Sequence, residues 1–193
     1  MREKVKEFVG ICAEHLPITE PIYEFGSLQV EGQEGFGDLR PFFPNMRYVG
    51  TDMREGVGVD RVLDLHDIDL PDSCLGTILC MDTLEHVEYA RRAVEEMYRV
   101  LKPEGILICS SAMQFYIHDH PYDYWRFTPE GLRSLLQPFS RSYIDYSGKM
   151  RFPRVVVGIG YKSRPDSDLT QIDRCFENIT KNTNLIKIKK KKK

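Results

Sequence analysis

No run of 18 apolar residues occurs in the chain, which excludes a membrane-spanning helix. The opening segment is charged throughout and has no apolar stretch of leader type, so no secretory signal is expected. Cysteine is sparse: five residues (Cys12, Cys74, Cys80, Cys109, Cys175), odd in number, scattered, and without a CxxC pair. That pattern argues against a disulfide framework or a zinc site. It fits the reducing cytoplasm, and no bound metal is expected. Basic charge is scarce except in one place. Seven lysines and no acid fall in residues 181–193, leaving 20 basic against 29 acidic side chains in residues 1–180, a net of −9. So acidic a body matches nucleic-acid phosphates poorly, and nucleic acid is not expected as a partner. The lysine block reads as a solvated tail.

What is present is an ordinary globular composition, 193 residues with 41% hydrophobic and 29% charged, enough for one core without staples. Val5, Phe8, Val9, Cys12 and Leu16 recur at helical spacing, which predicts a helix over 2–16, ended by Pro17 and Pro21. IYEFGS (22–27) reads as a short strand closing on glycine. A stretch with Gly32, Gly35 and Gly37 follows, then a short helix near 38–43. RYVGTD (47–52), RVLDL (61–65) and TILCMD (77–82) read as strands. The strongest helical period lies over 89–101, with Ala90, Ala93, Val94, Met97, Tyr98 and Leu101 on one face and charges on the other; Pro103 and Gly105 stop it.

GILICSSA (105–112) is a run of the kind buried on both faces of a parallel sheet. A loop rich in His, Asp and aromatics spans 113–127, and Thr128-Pro129-Glu130 then starts a helix reaching about 136. RSYIDYS (141–147) and RVVVGIGYK (154–162) close the chain as two strands joined by a turn containing Pro153. Residues 164–193 show no strong period. One domain is therefore expected over 1–163, followed by an irregular Lys-rich tail over 164–193. Alternating strands and helices predict an open α/β sheet with right-handed crossovers, and the final strand–turn–strand predicts an antiparallel pair at its end.

In such sheets ligands sit at the carboxyl ends of the strands, where the strand order reverses. Those ends carry Glu24-Phe25-Gly26-Ser27, Asp52, Asp64 and Met81-Asp82. An acid ending the second strand can accept hydrogen bonds from both hydroxyls of a ribose, and Gly26 lets backbone approach a ligand closely. The pattern suits a nucleoside-containing cofactor.

The series EFGS, YVGTDMREGVGVDRVLDLHDIDLPDS, ILCMDTLEHV, MYRVLKPEGILI and HDHPYDYWRFTPEGLRSLL, spanning about residues 20–160 in this order, resembles the class I S-adenosylmethionine-dependent methyltransferases, within them the type 11 (UbiE-like) group. The resemblance implies a Rossmann-like seven-stranded sheet in the order 3-2-1-4-5-7-6, strand 7 antiparallel, with helices on both faces. It implies S-adenosyl-L-methionine as cofactor. Glu24 and Gly26, with Ser27, would stand for the glycine-rich first motif. Asp52 would hold the ribose hydroxyls, Met53 would pack on the adenine, and Asp64 with Leu65 would read the adenine edge. Cys80, Met81 and Asp82 would line the methionine side, with Glu85 and His86 close by. The chain departs from the family at two places. Gly26 is followed not by a glycine two positions on but by Gly32, so a longer loop through Gly37 is expected to supply the backbone donors. Gly76 stands where an acid is usual.

The implied reaction is methyl transfer to a small-molecule or sugar-like acceptor at oxygen. His118, His120 or Asp123, just after the fifth strand, is expected to orient or deprotonate that acceptor. The aromatic residues Phe115, Tyr116, Tyr122, Tyr124, Trp125 and Phe127 suit a substrate wall as well as core filling. Two other readings stay open: a catalytically silent cofactor-binding or partner-docking protein, and an NAD-dependent oxidoreductase, which lacks its GxGxxG here. Nucleic-acid methylation is disfavoured because CMDT stands where (N/D)PP(Y/F) belongs. Nothing in the sequence indicates an oligomeric state.

Overall fold

A computed structural model describes residues 3–32, 34–118, 121–164 and 168–183. The elements run α1 (Glu3–His15), β1 (Ile22–Phe25), β2 (Tyr48–Asp52), β3 (Arg61–Val62), β4 (Leu75–Cys80), α2 (Ala90–Val100), β5 (Leu101–Ala112), α3 (Pro129–Leu135), β6 (Arg141–Lys149), β7 (Phe152–Tyr161) and α4 (Thr170–Asn182). Strands β1 to β7 form one sheet in the order β3-β2-β1-β4-β5-β7-β6. β7 runs antiparallel to both β5 and β6, and the remaining pairs are parallel. This is the sheet the resemblance implied.

The sheet separates two apolar layers. On one side Ile78, Cys80, Leu107 and Cys109 meet Ala93, Val94 and Met97 of α2 and Leu132 and Leu135 of α3. On the other, Leu79, Ile106 and Ile108 meet Val5, Phe8, Val9 and Cys12 of α1. Every residue of β4 is buried, because both faces are covered by helices. The expected cap is present: Thr128 Oγ1 accepts the Gly131 amide at 3.0 Å, with Pro129 in the first helical turn. Among the described residues no helix is long and apolar enough to cross a membrane.

The short helix expected near 38–43 is a 3₁₀ helix, Arg40–Phe42. Two expectations need correction. The turn before β7 lies ahead of Pro153, which is itself within β7 and opposite Gly148. The tail is not irregular throughout, since Thr170–Asn182 is helical. Ile172 and Ile179 of α4 are buried and Cys175 and Phe176 pack partly between them, so the helix does carry an i, i+3, i+4, i+7 apolar stripe, set in an otherwise polar sequence. What settles α4 is tertiary: Ile172 and Ile179 join the α1 layer, and Arg141 on β6 pairs with Asp173 at 3.1 Å. The lysine block lies outside the described residues.

Candidate active site

β1 lies at the reversal of strand order, flanked by β2 on one side and β4 on the other, and a cleft of about 820 Å³ opens over the carboxyl ends of these strands. Glu24, Gly26, Ser27, Asp52, Met53, Asp64, Leu65, Met81, Asp82 and His86 all border it, and His118 faces it from the loop after β5. Ten residues drawn from four separate segments thus meet in one space, with Asp52 and Asp64 on the same cleft. Cys80, in contrast, is fully buried beneath it. His120 lies outside the described residues.

The floor is built by close backbone approach. Gly26 has φ +83, and a Cβ there would lie 2.1 Å from Thr83 Oγ1. Thr83 Oγ1 in turn donates to the carbonyls of Phe25 and Met81, stapling the β1 turn to the β4 turn. A Cβ on Gly50 would lie 2.2 Å from the Gly58 carbonyl, so β2 and the following loop also meet without side chains. Ser27 Oγ is buried in this floor with no hydrogen-bond partner. A buried hydroxyl left unsatisfied is costly, and one bordering a cleft is a place for a ligand polar atom. Asp82 occupies the left-handed region (φ 48), pinned by the Ser110 carbonyl and hydroxyl at 3.1 and 2.9 Å. Non-glycine residues held there cluster at functional sites.

The Gly32–Gly37 loop behaves differently from its expectation. The Gly32 amide bonds Glu34 and the Gly35 amide bonds Gln29, so both donors serve the loop's own side chains. Gly37 and Phe36 do border the cleft. Gly76 is explained by sterics: a Cβ would lie 2.3 Å from the Thr19 carbonyl, so an acid cannot stand there.

Two carboxylates are less simple than the strand-end reading suggested. Asp64 lies beyond the end of β3, where it accepts the His66 amide and ring nitrogen, each at 2.8 Å. Its partial burial raises the carboxyl, but these His66 bonds outweigh that and hold it below the usual range. Glu24 is 4% exposed and accepts the Tyr48 hydroxyl at 2.6 Å. Burial pushes its carboxyl up to about 7, against the Tyr48 hydroxyl and the Arg40 guanidinium, which hold it down.

A folded-state value raised above the ordinary 4.5 means that the native protein holds an extra proton between the two values. The corresponding stability is full below about pH 4.5 and is lost as pH rises through about 7. Glu24→Gln should therefore gain on the parent by about 2–3 kcal/mol between pH 5 and pH 8, read by urea unfolding at both. A difference independent of pH would remove Glu24 from the buried network.

The outer wall comes from the loop after β5. Tyr116 and Tyr122 are 72% and 62% exposed and border the cleft, so these rings are wall and not core; Trp125 does not border it, and Phe127 packs into the α2 layer. The loop is tied down by the Tyr124 and Trp125 amides, both bonded to the Glu85 carbonyl, and by Trp125 Nε1 on the Val87 and Glu88 carbonyls. His118 Nδ1 lies 3.1 Å from Asp123 Oδ2, whose carboxylate is gripped by the Arg126 guanidinium. That guanidinium holds the Asp123 carboxyl far below the usual range, so Asp123 is too weak a base to take a proton and serves to orient His118.

The sequence matches the methyltransferase domain family over residues 42–109, from the end of the 3₁₀ helix into β5. That match spans about a third of the chain and supports S-adenosylmethionine-dependent methyltransferase activity. No curated protein sequence matches it. Among solved structures, a SAM-dependent methyltransferase from Archaeoglobus fulgidus is 16% identical, covering 84% of this chain and 95% of its own, with a TM-score of 0.62. A Burkholderia thailandensis 1,6-didemethyltoxoflavin N1-methyltransferase, with 1,6-didemethyltoxoflavin and S-adenosylhomocysteine bound, is 16% identical over 84% and 79%, with a TM-score of 0.61. The 4+2 cyclase SpnF is 15% identical over 83% and 81%, with a TM-score of 0.57. At these identities the likeness is one of fold.

The cofactor of this methyltransferase is S-adenosylmethionine, and the cleft fits it: Ser27 with its orphaned buried hydroxyl, Gly26 with its side-chain-free approach and the acidic Asp52 all border one space. A YxxxK spacing does occur at Tyr98–Lys102, but neither residue borders the cleft. Tyr98 packs edge-on against Phe139, and Lys102 bonds the Glu20 carbonyl. Among the described residues, no Tyr–Lys pair of this spacing borders the cleft.

Proposed function

We propose that this methyltransferase modifies an oxygen of a small, hydroxylated or sugar-like acceptor in the cytoplasm. The observation that carries the reading is the His118–Asp123–Arg126 chain at the mouth of the cleft, among exposed aromatic rings. When bound, S-adenosylmethionine supplies a methyl group on a sulfonium, ready for in-line displacement. Asp52 holds the ribose hydroxyls, Asp64 and Leu65 meet the adenine edge, and Ser27 and Asp82 face the methionine side. Tyr116 and Tyr122 offer flat apolar faces to an acceptor, and their hydroxyls suit its polar groups. Asp123 accepts the Nδ1 proton of His118, so the lone pair on Nε2 can take the proton that an acceptor hydroxyl loses as its oxygen gains the methyl group.

The cofactor half is tested by Asp52→Ala, which should weaken S-adenosylhomocysteine binding by about 1.5–3 kcal/mol, the usual worth of charged hydrogen bonds. Calorimetry reads it, and an unchanged affinity removes Asp52 from the site. The acceptor half is tested by screening hydroxylated small molecules with labelled methyl donor. A silent cofactor-binding protein is the second reading, favoured by the Gly32 and Gly35 amides being engaged within their own loop. Tight S-adenosylhomocysteine binding without turnover on any acceptor would select it.

A further inference from the structure

We propose that Glu85, His86 and His118 form a site for one divalent transition-metal ion of the zinc type in the acceptor half of the cleft. One ligand atom from each of the three lies within 4.8 Å of the other two. Tetrahedral zinc with bonds of about 2.0–2.2 Å sets its ligand atoms about 3.4 Å apart, so small side-chain adjustments close the site. The outer shell is already in place. His86 Nδ1 lies 2.6 Å from the Tyr122 carbonyl, and His118 Nδ1 lies 3.1 Å from Asp123 Oδ2 and 3.2 Å from the Tyr116 carbonyl. A carbonyl and an Arg126-bound carboxylate have no proton to give, so each ring presents an N–H at Nδ1, and Nε2 is the nitrogen through which it would ligate an ion. Metal-ligating histidines are held in this way.

Glu85 is fully buried and anchored by the Ser111 hydroxyl at 2.7 Å and the Ala112 amide at 3.2 Å, bonds that leave each carboxylate oxygen a further lone pair. Two imidazoles and one carboxylate select zinc-like ions over magnesium or calcium. Three protein ligands also keep a coordination position open toward the cleft. The absence of a CxxC pair, which led to the expectation of no metal, bears only on thiolate sites.

The inference rests on the proposed function for what fills the open position, an acceptor oxygen, and revises one part of it: a bound ion would occupy His118 Nε2, so that nitrogen would hold the ion and not the acceptor proton. With an ion bound, His118 Nε2 is a ligand, and a metal-bound hydroxyl loses its proton to solvent without needing the ring as base. Metal binding is measured without acceptor, so the two readings fail separately. Chelator-stripped protein is titrated with Co²⁺, followed by visible d–d absorption, and with Zn²⁺, followed by calorimetry.

The expected result is one saturable Zn²⁺ per chain. His86→Ala, His118→Ala and Glu85→Gln should each weaken binding by at least about 10-fold, and Asp123→Asn by about 10–100-fold. His15→Asn, remote from the cleft, should leave it unchanged. Far-UV circular dichroism checks folding, and Glu85→Gln, which keeps size and shape, remains informative if an alanine variant unfolds. No saturable Co²⁺ or Zn²⁺ binding, or binding that survives in the His86→Ala/His118→Ala pair, overturns the site. Methyl transfer that needs His118 but is indifferent to chelation would leave His118 as a base and likewise remove the ion.

Discussion

Replacing His118 with alanine should lower methyl-transfer turnover by about 10²–10⁴-fold, the usual worth of a positioned proton acceptor. Affinity for S-adenosylhomocysteine should change by less than about threefold. The split follows from placement. His118 stands on the loop after β5, against Phe115 and Tyr116, whereas Asp52, Asp64 and Leu65 border the part of the cleft proposed for the nucleoside. Single-turnover rates on an acceptor found by screening measure the first quantity, and calorimetry the second. Retained turnover would take His118 out of the chemistry. A parallel loss of cofactor affinity would make it a structural residue of the cleft.

A comparable loss, of a different kind, is expected from Gly26→Ala. The added Cβ would lie 2.1 Å from Thr83 Oγ1 and 2.8 Å from Thr83 Cγ2, on a backbone held at φ +83. Thr83 cannot swing aside without giving up its bonds to the Phe25 and Met81 carbonyls, which join the two turns that form the cleft floor. Left-handed strain costs on the order of 1–3 kcal/mol, and displacing the Thr83 staple adds to it. Cofactor binding should fall by about 100-fold or more, together with a lower unfolding midpoint in urea. The double variant Gly26→Ala/Thr83→Ala separates the causes: losing the Oγ1 and Cγ2 contacts should restore part of the affinity, and the backbone strain and the 3.0 Å approach to the Cβ of residue 83 remain. If Gly26→Ala alone binds S-adenosylhomocysteine as well as the parent, the β1 turn does not form the floor.

Much of this was legible in the residues. The alternation of strand and helix patterns, the Thr128-Pro129 cap and the final strand pair are local signals, and the structure carries each of them. Asp52 ends β2 as its place in the sequence suggested, and Asp64 lies two residues past β3; both border the cleft. Asp123 illustrates where such reading stops. Its type suggested a base, but Arg126 three residues on and His118 five residues before close around it, and the resulting charge network decides its role. Glycines are similar. The composition of the Gly32–Gly37 loop suggested amides aimed at a ligand, yet a glycine's backbone direction follows from its partners, here Glu34 and Gln29.

The α/β class and the run of residues along the sheet's carboxyl edge follow from short-range rules: side-chain periodicity, turn residues and caps act within a few positions of themselves. Which of those residues share a space does not. Ser27 Oγ is buried without a partner, α4 lies on α1, and Glu85 and His86 meet His118 across more than 30 intervening positions. Each of these depends on how loops close over a packed sheet. That closure is set by the sum of many contacts between distant segments, and no local pattern encodes such a sum.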